Sequence, residues 1–231
     1  MRKGEEKKQE ILAVAERLFC LKGYRETSVQ DILDVLKTSK GSFYHHFESK
    51  EMVLSTLCAQ RADRAAQEAK ELLGGDVQGM ALLNGLFHAM MPLRREECAF
   101  LAMLLPQLFT QEGKMVCYAY QEALRESFQP LLAQALKQAS AENTVCTPGH
   151  GDVSGIVADL VNDCWLACAE VMLQQIRQMR LADGTALQGI LNNYRSALER
   201  LLDAPWGSVE IIRLEEWLET AKQLERSISL A

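Results

Sequence analysis

The segment Lys40–Lys50 constrains the fold of this chain more than any other feature of the sequence. It reads Lys-Gly-Ser-Phe-Tyr-His-His-Phe-Glu-Ser-Lys and follows closely on a helical pattern that begins near Thr27. Phe43 and Phe47 stand four residues apart, which places both rings on one face of a short helix. We therefore expect the two rings to anchor the segment in a small core, while its cationic and small polar side chains stay in solvent.

Apolar residues recur with helical spacing from the first segment onward. The first apolar stripe comprises Ile11, Leu12, Ala15, Leu18 and Phe19. Gly23 predicts the end of that helix, and a Thr27–Gln30 capping box predicts the start of the second. Ser39 is the expected N-cap of a third, brief helix, and Ser49 opens a fourth that continues to about Leu73. Three short helices with a tight turn between the second and third indicate a helix-turn-helix unit.

The rest of the chain is predicted to be helical as well. The expected helices span about 77–91, 94–109, 114–139, 152–181, 185–203 and 208–226. The sequence contains no alternating strand pattern, internal repeat or low-complexity tract. We therefore expect an all-α fold.

Composition narrows the class of protein. The 48% hydrophobic and 24% charged residues are typical of a soluble globular chain. No apolar run approaches the ~20 residues that cross a bilayer, and the charged start Met1–Lys8 does not resemble a signal peptide, so we expect a cytoplasmic protein. Seven cysteines without a Cys-x-x-Cys pair favour reduced thiols in the core, and we expect no metal and no cofactor.

The charge is distributed unevenly along the chain. Residues 1–50 hold 10 Lys and Arg against 8 Asp and Glu, a net charge of +2. Residues 51–231 hold the other 15 and 23, a net charge of −8. A slightly basic head on an acidic body fits a chain that touches a polyanion at one end only.

The side chains around the third helix are of the kinds that bind DNA. Helix N-termini, hydroxyls and cations bind phosphates, whereas base edges are read by side chains that enter the major groove. The expected phosphate contacts are Thr27, Ser28, Ser39, Ser49 and Lys50, with Tyr44, His45 and His46 beside them. The expected base contacts are Thr38, Lys40, Gly41 and Ser42. Each residue taken singly could be an ordinary surface residue, but their order in a three-helix unit favours DNA binding.

The run Phe43-Tyr44-His45-His46-Phe47, followed by Ser49-Lys50-Glu51, resembles the signature of the TetR family, the tetracycline-repressor-like regulators. The resemblance covers about residues 5–65 and implies a DNA-binding domain there, with a helical ligand-binding and dimerisation domain over 66–231. It implies that Thr27, Tyr44, His45 and Lys50 contact phosphates and that Thr38, Lys40, Gly41 and Ser42 face bases. It also implies a dimer on a palindromic operator that a small effector releases, most often a repressor.

The sequence departs from this family in the turn before the third helix. The family usually has Ala-Gly-Val before the serine, whereas this chain has Leu36-Lys37-Thr38. A lysine at the glycine position costs about 1 kcal/mol if the backbone there is left-handed. Lys37 also offers an extra cation to DNA, so we include it among the expected DNA contacts.

Two broad apolar stripes near the C-terminus suit a four-helix seam between two subunits. The expected interface residues are Trp165, Cys168, Met172, Ile176, Leu187, Ile190, Leu191, Tyr194 and Leu198. The residues alone leave an internal core as the alternative, and the family resemblance implies the homodimer. A dimer also meets a geometric need, because two recognition helices must reach half-sites about 34–36 Å apart.

The middle helices are rich in Met, Phe and Leu, a lining that adapts to varied apolar ligands. The candidate effector-binding residues are Phe87, His88, Met91, Phe100, Met103, Leu104, Tyr118 and Trp165. Most of these side chains are equally consistent with plain core packing, and His88 is the polar group expected nearest a ligand. We expect ligand binding to move the fourth helix and so to oppose DNA binding.

Two other classes of protein remain open on the sequence. Phosphate-loop, zinc-protease and serine-hydrolase motifs are absent, so an enzyme would have to depend on a Cys146–His150 pair in a loop rich in Thr, Pro and Gly. A flexible loop is the simpler interpretation of that pair. The second alternative is a ligand-binding or protein-interaction module of the same fold that has lost DNA binding.

Overall fold

The computed structural model describes residues 3–90, 98–108, 110–146, 154–177 and 184–229. These residues form helices and connecting loops, and none of them lies in a β-strand. The helices are α1 (Lys3–Lys22), α2 (Val29–Leu36), α3 (Lys40–Tyr44), α4 (Lys50–Leu73), α5 (Gly79–Met90), α6 (Cys98–Leu108), α7 (Gln111–Ala141), α8 (Ser154–Arg177), α9 (Gly184–Leu201) and α10 (Leu214–Ser229). The predicted all-α fold is confirmed.

The start of α2 differs by one residue from the sequence prediction. Ser28, not Thr27, is the N-cap, and it forms the capping box with Asp31. The Ser28 side chain accepts a hydrogen bond from the Asp31 backbone N–H at 3.1 Å, and the Ser28 N–H donates to the Asp31 carboxylate at 2.7 Å. Lys22 donates to the same carboxylate at 2.8 Å. These hydrogen bonds, that from Lys22 foremost, hold the pKa of Asp31 well below its ordinary value.

The first compact unit comprises the described residues of Met1–Arg61, Arg95–Tyr120 and Gln223–Ala231. Its core joins α1, α2, α3 and the start of α4, and it includes the predicted anchors Phe43 and Phe47, both buried. Three residues of α6 complete the same core, namely Phe100, Met103 and Leu104. The helix-turn-helix unit therefore shares its core with a helix that lies much later in the chain.

An arginine on α4 connects the elements of this unit. The Arg61 guanidinium lies 2.6 Å from the Glu16 carboxylate on α1. It also stacks on the Phe100 ring of α6, with 3.5 Å between the guanidinium carbon and the ring centroid. Because Arg61 is largely buried, the charge needs both the carboxylate and the aromatic face. The contact fixes α4 against α1 and α6.

The second compact unit comprises the described residues of Ala62–Arg94 and Gln121–Lys222. Within it α8 packs directly on α9. The largest buried side chains in this unit are those of Phe87, Phe128, Trp165 and Trp217. The predicted division between residues 65 and 66 falls inside α4, a helix that contributes to both units.

The connection between α9 and α10 is extended rather than helical from about Ser208, where the sequence predicts a helix start. The buried Glu199 carboxylate accepts hydrogen bonds from the backbone N–H groups of Gly207 and Val209, at 2.8 and 3.2 Å. Asn84 of α5 also binds this connection, donating to Ser208 and accepting from the backbone of Glu210. These side chains satisfy the backbone in place of a helix, so α10 begins only at Leu214.

Candidate nucleic-acid interface

The turn between α2 and α3 is made by a lysine in a left-handed conformation. Lys37 caps α2 with φ 49° and ψ 46°, and its N–H donates to the Leu33 carbonyl. The Thr38 N–H donates to the same carbonyl at 3.2 Å. The Lys37 side chain is exposed. The lysine that replaces the usual glycine therefore adopts the left-handed conformation, and its cation lies in solvent.

The outer face of α3 carries most of the predicted DNA contacts. Ser39 caps the helix and accepts a hydrogen bond from the Ser42 N–H at 3.3 Å. Phe43 turns inward, and the opposite face presents exposed or partly exposed polar groups. These residues are Lys37, Thr38, Ser39, Lys40, Gly41, Ser42, Tyr44 and His45. The structure thus brings eight of the predicted residues onto one surface, which we call the α3 face.

Gly41 has no internal reason to be glycine. A methyl group added there would meet only the Ser39 hydroxyl at 3.9 Å, an ordinary van der Waals contact. Gly41 also lies inside α3, where glycine is less favourable than alanine by about 1 kcal/mol. A glycine that the fold does not require is consistent with close approach of another molecule to this backbone.

Two predicted phosphate contacts are used inside the protein. Thr27 is buried, and its hydroxyl donates to the Gly23 carbonyl at 2.7 Å. The prediction that the Thr27 side chain contacts DNA is therefore wrong, because burial removes the hydroxyl from the surface. Ser28 is exposed, but its hydroxyl is part of the capping box.

Lys50 also has an internal role that the sequence did not indicate. Its ammonium donates to the carbonyls of Tyr24 and Thr27, at 2.7 and 2.9 Å, and lies 4.3 Å from the centroid of the Tyr24 ring. Burial lowers the pKa of Lys50 from its ordinary value. Lys50 therefore clamps the connection between α1 and α2, and a phosphate contact would use its remaining N–H.

The N-terminus of α1 adds a cation next to the α3 face that the sequence prediction omitted. The Lys8 ammonium lies 6.0 Å from the centroid of the Phe47 ring. A methyl group added at Gly4 would lie 4.0 Å from the His46 ring, so this end of α1 adjoins the end of α3. In the sequence, only the excess of positive charge in the first fifty residues indicated that further cations would lie near the α3 face.

The predicted effector residues are distributed over both compact units. Phe100, Met103 and Leu104 are buried in the core of the first unit, where they pack against the helix-turn-helix. Tyr118 is 70% exposed, too open to line a pocket. Their assignment to an effector site stays a prediction. Phe87 and Trp165 are buried in the second unit, which also contains His88, and Met91 lies outside the described residues.

His88 lies beside an acidic side chain without a hydrogen bond to it. Its Nε2 atom is 3.5 Å from the Glu210 carboxylate, and the geometry is not that of a hydrogen bond. Burial lowers the pKa of His88, while the charge of Glu210 opposes that shift. The imidazole is therefore neutral at pH 7 and couples α5 weakly to the connection before α10.

Two buried polar atoms on α8 lack partners. Asn162 and Trp165 are both buried, and neither the Asn162 Oδ1 nor the Trp165 Nε1 has a hydrogen-bond partner in the structure. An unsatisfied buried group of this kind costs about 1–3 kcal/mol. Most buried polar groups in native proteins have a partner, so each of these two atoms calls for an explanation.

The described cysteines do not form a redox or metal centre. Burial raises the pKa of Cys164, and it raises that of Cys168 to about 12, so both thiols stay protonated and unreactive. Cys146 is an exposed free thiol, and His150, its partner in the enzyme alternative, lies outside the described residues. Within the described ranges, no three His, Cys, Asp or Glu side chains gather closely enough to hold a metal ion. None of the described helices is long and apolar enough to span a membrane.

Most of the predicted dimer residues face the core of their own subunit. The buried ones are Trp165, Cys168, Met172, Leu187, Leu191 and Leu198. Their prediction as an interface is wrong, because side chains already packed inside one subunit cannot bury new surface against another. Ile190 and Tyr194 remain partly exposed, and the side chain of Ile176 is outside the described set. The outer face of α8 carries other apolar residues, Ile156 at 65% and Leu160 at 49% exposure.

Comparison with known proteins identifies the first part of the chain. Residues 11–57 match the family described as bacterial regulatory proteins, tetR family. The chain carries a TetR-family N-terminal domain. This segment includes α2 and α3 with the whole α3 face. The resemblance drawn from the residues of the third helix is confirmed.

Curated relatives match this TetR-family domain and little beyond it. The transcriptional repressor KstR2 of Rhodococcus jostii is 32% identical over 80 residues, 35% of this chain and 39% of its own length. The regulator EthR of Mycolicibacterium smegmatis is 37% identical over 78 residues, 32% of this chain and 36% of its own. The aligned part of this chain thus spans well under half of these relatives. They are transcriptional regulators and not enzymes.

Solved structures extend the likeness of fold to the whole chain. A TetR-family transcriptional regulator from Mesorhizobium loti has a TM-score of 0.55 at 15% identity, covering 100% of this chain and 98% of that one. Salmonella enterica GusR has a TM-score of 0.52 at 18% identity, covering 86% of this chain and 96% of its own. At these identities the likeness shows the all-helical TetR-like architecture alone.

Proposed function

We propose that this protein is a transcriptional regulator that binds a palindromic DNA operator as a homodimer and is released by a small, largely apolar effector. The observation that carries the proposal is the α3 face, an exposed polar surface on a short helix whose aromatic side is anchored in the core. On this proposal, residues of about 5–65 bind DNA, and the helical remainder binds the effector and the second subunit.

The α3 face supports a division of roles. Lys40 reaches the acceptor atoms of guanine, and Thr38 and Ser42 contact neighbouring base edges. Gly41 lets the helix backbone approach the groove. The phosphates are contacted by Ser28, Lys37, Ser39, Tyr44 and His45, and by the remaining N–H of Lys50. Such contacts position the domain without reading the sequence.

Dimerisation in this proposal uses the outer face of α8 and α9. Ile156 and Leu160 stand four residues apart on α8, and Ala167 continues the same stripe. On α9, Gly189 is open and Ile190 is partly exposed, so a second helix can approach closely. Two copies joined in this way present two α3 faces, as a palindromic operator requires.

Regulation in this proposal is antagonism between effector and DNA. The helix α4 begins at Lys50, beside the α3 face, and its later turns belong to the second unit. An effector that favours a different position of α4 would therefore lower operator affinity, with a reciprocal coupling of typically about 1–3 kcal/mol. Repression is the proposed sign, since the KstR2 relatives are repressors.

Binding of the full-length protein to a pool of random duplexes tests the proposal. At low salt we expect binding whose logarithm falls with log salt by roughly 0.9 per phosphate neutralised, and repeated selection should enrich a palindrome. Lys40→Ala should cost about 1–3 kcal/mol and relax base preference, whereas Lys70→Ala, an exposed lysine of α4 outside the first unit, should change little.

Gly41→Ala separates function from folding at the same surface. The added methyl group has room, so the variant should fold at least as stably as the parent and yet bind DNA more weakly. No binding at low salt by the folded parent would refute DNA binding and leave the interaction-module alternative. Unchanged affinity in Gly41→Ala would refute the close approach of α3.

A further inference from the structure

The inner face of α8 carries a complementary pair of unpaired polar atoms. Asn162 offers an acceptor, Oδ1, and Trp165 offers a donor, the Nε1–H, and both residues are buried. A spacing of three residues puts them on the same side of the helix, one turn apart. One group that both accepts and donates a hydrogen bond could therefore satisfy the two together.

The Asn162 amide nitrogen has a hydrogen-bond partner on α7. Its Nδ2 group donates to the backbone carbonyl of Arg125 on α7 at 3.4 Å, which leaves Oδ1 without a partner. The Arg125 side chain pairs instead with Asp163 at 2.5 Å, and both of these side chains are partly exposed. The charged pair thus neutralises itself at the surface and does not supply the missing donor to Oδ1.

The other buried residues on the same side of α8 are apolar. The neighbours on the buried side of α8 are Ala158, Val161, Leu166 and Ala169. Glu199 is the one buried charged side chain in the described part of the chain, and backbone N–H groups of the connection before α10 bind its carboxylate. None of these α8 residues can act as a counter-ion to a charged ligand, and a buried unpaired charge is very unfavourable.

We propose that Asn162 and Trp165 bind the effector, and that this effector is a neutral, largely apolar molecule bearing a hydroxyl group. The hydroxyl oxygen accepts the indole N–H of Trp165, and the hydroxyl hydrogen is donated to the Asn162 Oδ1. This inference rests on the proposed function for the existence of an effector. It goes beyond it in naming the two residues and the chemistry that they recognise.

The position of the pair also links it to the proposed dimer. Leu160 lies on the outer face of α8, and Asn162 and Trp165 lie on its inner face. A ligand bound at the inner face can therefore displace the same helix whose outer face forms the proposed dimer interface. The relative orientation of two subunits is then sensitive to the presence of the hydroxyl compound.

Binding of phenol and toluene to the full-length protein tests the proposal. The two probes are nearly the same size, and only phenol carries the hydroxyl, so we expect phenol to bind about five- to tenfold more tightly. Benzoate, the anionic probe, should not compete with phenol. Ligand-detected NMR titration measures all three. Equal binding of phenol and toluene, as expected if a single water bridges the pair, would overturn the proposal.

Variants assign the effect to the pair. Trp165→Phe keeps the aromatic packing and removes the N–H, and Asn162→Leu removes the acceptor, so each should abolish the preference for phenol. Trp206→Phe alters a tryptophan that is 72% exposed and should keep the preference. In the absence of any probe, Asn162→Leu should raise the melting temperature, because it removes an unsatisfied buried oxygen. A phenol preference that survives in Trp165→Phe would contradict the assignment.

The same samples distinguish this inference from the proposed function. Each is assayed for binding to random duplexes without probe. DNA binding with no phenol preference would reject the hydroxyl site and leave the regulator intact. A phenol preference without DNA binding by the parent would reject the regulator and support a ligand-binding module.

Discussion

A left-handed lysine forms the turn on which the whole α3 face depends. Lys37 has φ 49° and ψ 46°, a region that non-glycine residues enter at a cost of roughly 1 kcal/mol. Two hydrogen bonds hold the turn in this conformation, since the N–H groups of Lys37 and Thr38 both donate to the Leu33 carbonyl. The exposed cation next to α3 gives a physical reason to accept that cost.

Replacement of Lys37 separates the conformational cost of the left-handed lysine from the contribution of its charge to DNA binding. Lys37→Gly should raise the free energy of unfolding by about 1 kcal/mol, since glycine enters the left-handed region freely, and should weaken DNA binding uniformly across sequences. Urea denaturation and gel shifts measure the two changes. Lys40→Gly is the control, because it places glycine in a helix and should destabilise. A Lys37→Gly protein of lower stability than the parent would contradict the strain.

His88 makes stability depend on pH in a definite direction. Burial lowers its pKa below the ordinary 6.5, opposed by Glu210, with further contributions from Arg213 and Glu216. The neutral form is favoured on folding, so this contribution is fully present above pH 6.5. It is lost as the pH falls below 6.5, where the unfolded chain takes up a proton first.

Removal of the imidazole should flatten that dependence. In His88→Gln, stability measured by urea denaturation should fall less between pH 7 and pH 5 than in the parent. If the slope is the same in His88→Gln and the parent, His88 does not titrate as its burial implies.

For single residues, the sequence predicted which side chains are buried better than it predicted which groups the polar side chains bind. Phe43 and Phe47 follow directly from their spacing, and both are buried. Thr27 and Ser28 are both good caps, and only tertiary burial of Thr27 decides between them. Lys50 could not be assigned from its neighbours in sequence, because its ammonium binds carbonyls 23 and 26 residues away.

Among the elements, α6 has the least expected position. Its residues Phe100, Met103 and Leu104 belong to the core of the helix-turn-helix unit. Arg61 stacks on Phe100 and pairs with Glu16, so α1, α4 and α6 meet at one point. Helical periodicity predicted that these residues face inward, but it carries no information on which of two cores they enter.

Truncation of Phe100 tests whether α6 supports the DNA-binding unit. Phe100→Ala should lower the free energy of unfolding by about 3–5 kcal/mol and reduce DNA binding, because the cavity lies in the core that holds α3 in place. Tyr118→Ala, which alters an exposed ring, should cost about 0.5 kcal/mol or less. Urea denaturation measures the stability of the two variants, and gel shifts measure their DNA binding. Undiminished stability in Phe100→Ala would show that α6 is dispensable.

For the whole molecule, the central question is which face of α8 meets a second subunit. Both faces carry apolar side chains, so the apolar pattern alone did not separate an interface between subunits from the core of one subunit. In the structure Cys168 and Met172 are internal whereas Ile156 and Leu160 are in solvent, and for this reason the proposed interface uses the outer face. The all-helical architecture, in contrast, followed from periodicity alone.

A charge on the outer face of α8 should prevent dimerisation. Leu160→Glu should shift the protein to monomer in analytical ultracentrifugation while changing the stability of the monomer by about 0.5 kcal/mol or less, because the side chain is half exposed. Operator affinity should fall with it, as only one half-site is held. Val77→Glu, at a similarly exposed apolar position outside α8, is the control. A dimeric Leu160→Glu protein would exclude this face.

The shared core of α6 and the helix-turn-helix also limits how this chain can be recombined with related chains. A hybrid that joins residues 1–65 of this chain to the body of a relative would separate Ile11 and Phe43 from Phe100, Met103 and Leu104. Its head would then have to repack against a foreign helix. Engineers who wish to redirect the protein to new DNA should therefore graft only the solvent-facing positions of Lys37–His45 onto the intact scaffold.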